Sequence, residues 1–206
     1  HRILYSNAYR RLKHKTQVFF NTNNDHICTR IEHVNHVSSV AETIAEFLGL
    51  NPWLVRAIAV GHDLGHSPFG HTGEKILNRI VQDNELLRSF WHEKNSLRFI
   101  DKIETMPDYE GYERNLNLSY AVRDGIICHC GEVDEEALKP RDEFIDLEII
   151  KSANQFQSYT YEGCIVKIDA MGKQKEIDRK IIHKKEDYIL KVKGNKKKLM
   201  EDIREY

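Results

Sequence analysis

Gly61-His62-Asp63-Leu64-Gly65-His66 is the stretch on which the reading of this chain turns. Upstream of it, Trp53, Leu54, Ala57, Ile58 and Val60 make a helix that is apolar almost all round, which implies burial. Downstream, Ser67-Pro68-Phe69-Gly70 breaks the helix. A buried helix that ends in His-Asp is chemically unusual, because burying an imidazole beside a carboxylate is unfavourable unless both are paired or hold a cation. Adjacent helical residues point about 100° apart, so His62 and Asp63 can grip one ion near the helix end. Taken alone, the dipeptide fits a helix-capping histidine with an aspartate beside it equally well.

The surroundings shift that balance. From Arg30 a helical stripe of Val34, Val37, Ala41, Ile44, Ala45 and Leu48 returns. Gly49 can close that helix, Asn51 can cap the next, and Pro52 fits its first turn. So short a connection makes the two helices antiparallel neighbours, and it brings His33 within reach as a third ligand. The run from Gly65 to Glu74 then sets His66 and His71 on a loop shaped by glycine and proline, where catalytic side chains are often displayed.

The bulk properties bound the rest. The chain has 206 residues, 40% hydrophobic and 31% charged, which suits one soluble domain or one domain with a small appendage. A formal net charge of −1 gives no global pull toward nucleic acid or membrane. No apolar run is long enough for a bilayer and the first residues resemble no signal peptide, so the expected location is cytoplasmic. The four cysteines then read as reduced thiols. Of 11 histidines, seven fall between His26 and His92.

Pattern predicts a basic helix over residues 2–19 and a turn cluster at 21–25. Further helices are expected over about 73–81, 91–103 and 118–128, a loop over 104–118, and a short piece at 134–138. The fold class is mainly α, a helical bundle-like fold around a metal site, with a small β element near the C-terminal end at Tyr188–Lys193. The expected division is a catalytic core over 1–172 and a lysine-rich segment over 173–206 that belongs to a larger C-terminal region. Both ends run through helical patterns without caps, which is what a piece of a longer chain would show.

The order of the motifs resembles a known family. Thr29-Arg30-x-x-His33, with His62-Asp63-Leu64-Gly65-His66-x-Pro68-Phe69-Gly70-His71-x-Gly73-Glu74, is similar to the dGTPase branch of the HD superfamily. Arg10-Arg11-Leu12-x-x-Lys15-Thr16-Gln17-Val18-Phe19 resembles it upstream. His92-Glu93-x-Asn95-Ser96-Leu97-Arg98, Asn115–Tyr120 and Tyr161–Ile168 resemble it downstream, so the likeness runs from about residue 2 to 168.

The resemblance implies that His33, His62 and Asp63 are metal ligands, with an aspartate as the fourth. Asp169 is the nearest residue to that place, but Asp169-Ala170-Met171-Gly172-Lys173 departs from the family pattern. Either Asp169 serves in a shifted register or residues are missing from the sequence around 168–173. A mixed His/Asp site suits a divalent ion such as Mn, Mg or Fe, and the lack of thiolate ligands argues against a closed zinc site.

The implied reaction is hydrolysis of a deoxynucleoside triphosphate, dGTP or others, to deoxynucleoside and triphosphate. His92 or His66 would supply the proton to the leaving oxygen and Glu74 would orient His92. Arg30, His71 and Lys15 would offset phosphate charge, and Gln17 would lie against the sugar. The implied assembly is a homo-oligomer. A nucleotide effector or single-stranded nucleic acid could meet the Arg10–Lys15 stretch or the lysine-rich tail, although a solvated face is the plainer reading.

Each residue also has an ordinary explanation. His92 could be an interfacial histidine, Arg30 a surface partner of Glu32 or Asp25, Gln17 merely exposed, and Glu74 a first-turn acid favoured by the helix dipole. Cys128-His129-Cys130 lacks a second ligand pair and is not read as a zinc site. His14, His26, His36, His129 and His183 are left without a role. Two rival functions remain: an HD-type hydrolase of another nucleotide, and a catalytically degenerate nucleotide-sensing or nucleic-acid-binding protein.

Overall fold

The chain opens with two short helices, α1 (Arg2–Tyr5) and α2 (Asn7–Arg11), and a 3-10 turn at Leu12–His14. The computed structural model describes residues 1–15, 17, 28–84, 89–129, 139–153 and 155–166. One continuous basic helix was expected here, and Ser6 breaks it. Ser6 is extended, its hydroxyl donates to the Ile3 carbonyl at 2.7 Å and accepts from the Tyr9 amide at 3.2 Å. The Glu104 carboxylate accepts from the Asn7 and Ala8 amides, which satisfies the new helix start. Periodicity cannot reveal a cap supplied from so far along the chain.

Helix α3 (Arg30–Phe47) begins where Glu32 accepts from both the amide and the hydroxyl of Thr29, the reciprocal pairing that fixes a helix start. Its stripe of Val34, Val37, Ala41, Ile44 and Ala45 is buried, while Leu48 beyond its end is exposed. Gly49 turns the chain at φ +68°, and the Asn51 side chain accepts from the amides of Trp53 and Leu54 to start α4 (Pro52–Gly61). The last turn of α4, residues 58–61, is buried throughout, but Trp53 at its start is 74% exposed, so all-round burial holds only toward His62.

Helix α5 (Gly70–Asp83) begins three residues before the expected position, because Phe69 at φ +66° and Gly70 at φ +55° turn the chain directly into it. Helix α6 (His92–Arg98) passes into a wide helical turn, Phe99–Ile103. In place of the expected loop, β1 (Thr105–Pro107) and β2 (Glu113–Asn115) pair antiparallel, Thr105 opposite Asn115. The Asp108 carboxylate holds the intervening turn by accepting from the Glu110 and Tyr112 amides. Helix α7 (Tyr120–Ile127), a 3-10 turn at Leu147–Ile149 and α8 (Tyr161–Val166) complete the described residues.

The architecture is mainly helical, and α4 is its centre: α1, α3, α7 and α8 all pack against it. A Cβ at Gly125 would stand 2.5 Å from Ile58 Cδ1, and one at Gly61 2.5 Å from Ile126 Cδ1, so glycine on both helices lets α7 lie this near α4. The buried Asp124 carboxylate accepts from Arg141, from the Ser158 hydroxyl at 2.8 Å and from the Tyr159 amide at 2.7 Å, tying the later segments to α7. No described helix is long and apolar enough to cross a membrane. The boundary expected at residue 172, the β element at 188–193, the short piece at 134–138 and the lysine-rich segment lie outside the described residues.

Candidate active site

The buried end of α4 delivers His62 and Asp63 into the interior, both almost without exposure. His62 Nδ1 lies 2.6 Å from the Ala59 carbonyl. A carbonyl only accepts, so Nδ1 donates to it, and in the neutral ring Nε2 is the nitrogen with the lone pair. That Nε2 is buried without a hydrogen-bond partner and stands 3.3 Å from Asp63 Oδ1. His33, from the first turn of α3, places its Nε2 3.9 Å from Asp63 Oδ2. Ligand-capable atoms of the three residues lie within 4.8 Å of one another.

A separation of 3.3 Å is long for a strong hydrogen bond. It is the separation of neighbouring ligand atoms around a cation with bonds of about 2.0–2.1 Å, for which a tetrahedral edge is about 3.3–3.4 Å. An orphaned imidazole lone pair at that distance from a carboxylate fits a divalent ion. The other Asp63 oxygen accepts from Arg30 Nη1 at 2.6 Å, so Arg30 is a buried partner of Asp63 and not a surface partner of Glu32. Burial alone would raise the Asp63 carboxyl, yet His62, His66 and Arg30 around it hold it well below the usual carboxylate range.

The turn after Asp63 is welded to α6. A Cβ on Gly65 would fall 2.1 Å from the Ser96 amide nitrogen and 2.3 Å from the His92 carbonyl oxygen. Ser96 donates from its hydroxyl to the His62 carbonyl at 2.9 Å and accepts from the Gly65 amide at 2.8 Å, and Asn95 donates to the Gly65 carbonyl at 2.7 Å. This docking stacks the His66 and His92 rings, centroids 3.8 Å apart and planes 13° from parallel. His66 Nε2 also lies 3.3 Å from Asp63 Oδ1, so it joins the two halves of the site.

Glu74, one turn into α5, accepts from the His92 amide at 3.0 Å and faces His92 Nδ1 at 3.4 Å and His71 Nδ1 at 3.3 Å. Buried Glu93 sets an oxygen 3.4 Å from the same His92 nitrogen. The two stacked rings are driven apart in basicity. Burial, against the attraction of Asp63, brings His66 down to about 4. Burial also opposes the His92 imidazolium, but Glu74, Glu93 and Asp63 outweigh it and raise the pKa. Glu74, despite burial, is held well below the usual carboxylate range by hydrogen bonds from His71 and His92.

Around this cluster, Lys15 Nζ donates to the Leu64 carbonyl at 3.0 Å, and burial together with Arg11 and Arg30 lowers it to about 8. Gln17 is half-buried, with its side-chain oxygen buried and lacking a hydrogen-bond partner. His71 is largely exposed, its side chain at 71%. Asp169 lies outside the described residues, as do His26, His183 and Cys130.

One residue without an expected role belongs here. His129 is buried at the end of α7, its Nδ1 2.6 Å from the Ile126 carbonyl and its ring 4.9 Å from that of His62. It repeats the His62 device, an imidazole after an apolar helix tied to the carbonyl three residues back, and that repetition was visible in Gly125-Ile126-Ile127-Cys128-His129. Asp63, His92 and His129 form a further trio within 4.8 Å. Cys128 faces Asp124 and Arg141.

A family model described as HD domain matches residues 30–158. Proteins named deoxyguanosinetriphosphate triphosphohydrolase-like protein are similar to the chain. That of Desulfatibacillum aliphaticivorans is 47% identical over 128 residues, 62% of this chain and 33% of its own length. That of Caldanaerobacter subterraneus subsp. tengcongensis is 46% identical over the same length, 62% of this chain and 34% of its own. That of Rickettsia bellii is 39% identical over 170 residues, 82% of this chain and 41% of its own. The chain therefore spans about a third to two fifths of the length of these relatives.

Proposed function

The chain belongs to the HD-domain family, and from that premise we propose that it carries the catalytic centre of a metal-dependent hydrolase that cleaves deoxynucleoside triphosphates to deoxynucleoside and triphosphate. The observation that carries the reading is the buried His62 Nε2 lone pair 3.3 Å from Asp63 Oδ1, with His33 beside them. The names of the similar proteins supply the substrate class. His33, His62 and Asp63 hold the divalent ion, and Asp169 is the proposed fourth ligand. When bound, such an ion, Mn, Mg or Fe, lowers the pKa of a water and polarises a phosphoryl oxygen.

The residues of the chain divide the remaining work. Two imidazolium charges cannot coexist in rings stacked at 3.8 Å, and the carboxylates favour the charge on His92. His92 is thus the proton donor to the leaving 5′ oxygen, and His66, neutral, lines the reacting phosphate. Glu74 fixes the tautomer and direction of His92 by holding both its amide and its ring nitrogen. His71, exposed at the mouth, and Lys15 meet the outer phosphates, and Gln17 faces the sugar with its unpartnered oxygen. Arg30 holds Asp63 and adds positive charge behind the phosphates.

Incubation with Mn and each of the four substrates tests this directly. Triphosphate and deoxynucleoside are the expected products, and His92→Gln should lower the turnover by roughly 10²–10⁴-fold. Release of pyrophosphate or orthophosphate would move the chain to a different hydrolase within the family. Absence of hydrolysis together with retained nucleotide binding would favour a sensing role.

A further inference from the structure

We propose that His71, Glu74 and His92 form a second cation site of zinc type beside the His33, His62 and Asp63 centre, and that filling it stops turnover. The effect on turnover rests on the hydrolase reading above; the binding does not. Two imidazoles and one carboxylate, drawn from α5 and from α6, bring ligand atoms within 4.8 Å of one another. Three protein donors with a fourth position open to water, two imidazoles and a carboxylate, are a set that zinc accepts in tetrahedral geometry.

The distances are those of co-ligands. Glu74 Oε2 lies 3.3 Å from His71 Nδ1 and 3.4 Å from His92 Nδ1. Bonds of about 2.0–2.1 Å in a tetrahedron space their ligand atoms about 3.3–3.4 Å apart, so these long hydrogen bonds already stand at the spacing an ion needs. The His71 and His92 rings stand 5.5 Å apart and 71° from parallel, as two imidazoles on one ion do, whereas His66 lies flat on His92, faces Asp63 and stays outside the set. The exposed His71 gives the ion a path in from solvent.

Occupancy is an exchange of protons for metal. Protons that His71 and His92 direct at Glu74 leave to solvent, and the ion takes their place between the same atoms. Once Nδ1 is ligated, His92 is a neutral imidazole whose remaining Nε2–H is far less acidic than an imidazolium proton, and the Glu74 oxygen is turned to the ion. Zinc in excess is then an inhibitor of a protein whose first centre already holds Mn.

Titration of the metal-stripped full chain with cobalt and with zinc, read by calorimetry and visible absorption, tests the site without any substrate. Two equivalents are expected, the second giving the intense visible bands of four-coordinate cobalt. His71→Ala should keep the first equivalent and weaken the second by more than the roughly 10–100-fold that loss of an outer-shell partner brings. Glu74→Gln should do the same, and Asp63→Asn should weaken the first while the second persists. Saturation of the wild type at one equivalent overturns the proposal. So does a second equivalent that His71→Ala and Glu74→Gln leave unchanged, or one that shows thiolate-to-cobalt absorption and so belongs to cysteine. Two equivalents with no hydrolysis of any deoxynucleotide would sustain the site and sink the hydrolase reading instead.

Discussion

Arg30 and Asp63 are a buried charge pair whose anion is also asked to face a cation. Without an ion, the Arg30 guanidinium, with the His62 and His66 rings, compensates the Asp63 charge. Its removal leaves a carboxylate uncompensated in the interior, a loss of about 3–5 kcal/mol. Arg30→Ala should therefore destabilise the metal-stripped protein strongly and the Mn-loaded protein less, because the ion takes over part of the compensation. Denaturant titrations with and without Mn measure the difference, and equal losses would count against a cation at Asp63.

The histidines make a pH prediction of opposite signs. His66 sits at about 4 in the folded chain against an ordinary 6.5, so only the unfolded chain takes up its proton between those values. Stability is unaffected above 6.5, falls through that window and levels off below 4, a loss on the order of 3 kcal/mol at about 1.4 kcal/mol per unit. The raised His92 contributes stability that is fully present below its ordinary value and lost as pH rises through its folded one. The metal-stripped His66→Asn variant should consequently lose less stability than the wild type on acidification, which denaturation midpoints across the window will reveal.

At the scale of elements, the start of α3 and the turn after Asp63 carry different burdens. Thr29→Ala removes one half of a reciprocal cap and should cost about 1 kcal/mol with activity retained, as thermal unfolding and turnover together would show. Gly65→Ala puts a methyl against the α6 backbone, so α6 must move. His66 and His92 then part while His62 and Asp63 keep their places, and turnover should fall much further than metal content. Helices α3 and α4 were legible in the sequence because their stripe, caps and Gly49 turn are local signals. The break at Ser6 and the hairpin at 105–115 were not, since they depend on Glu104 and on Asp108 side-chain bonds that no period encodes. His129 was legible in principle, as a second apolar helix ending in histidine, but only the packing of α7 on α4 makes it a neighbour of His62.

For the whole molecule, the docking of α6 on the His62–Gly65 turn has a kinetic consequence. The side chains that face Asp63 come from residues 30–33, 62–66, 92 and 129, so the centre exists only when segments some thirty residues apart have closed upon one another. Loop closure must precede any reward from those contacts. The His33, His62 and Asp63 set on α3 and α4 is only part of what faces Asp63, so a metal ion is expected to favour the closed fold over any partly closed state and not to act as a nucleus. It binds the finished fold, adding about 2.7 kcal/mol at a hundredfold excess over its dissociation constant. All of that gain should appear as slower unfolding, with the refolding rate unchanged. Stopped-flow denaturant jumps with and without Mn would show this as a chevron whose unfolding limb alone is displaced: the ion acts as a latch on a door already shut.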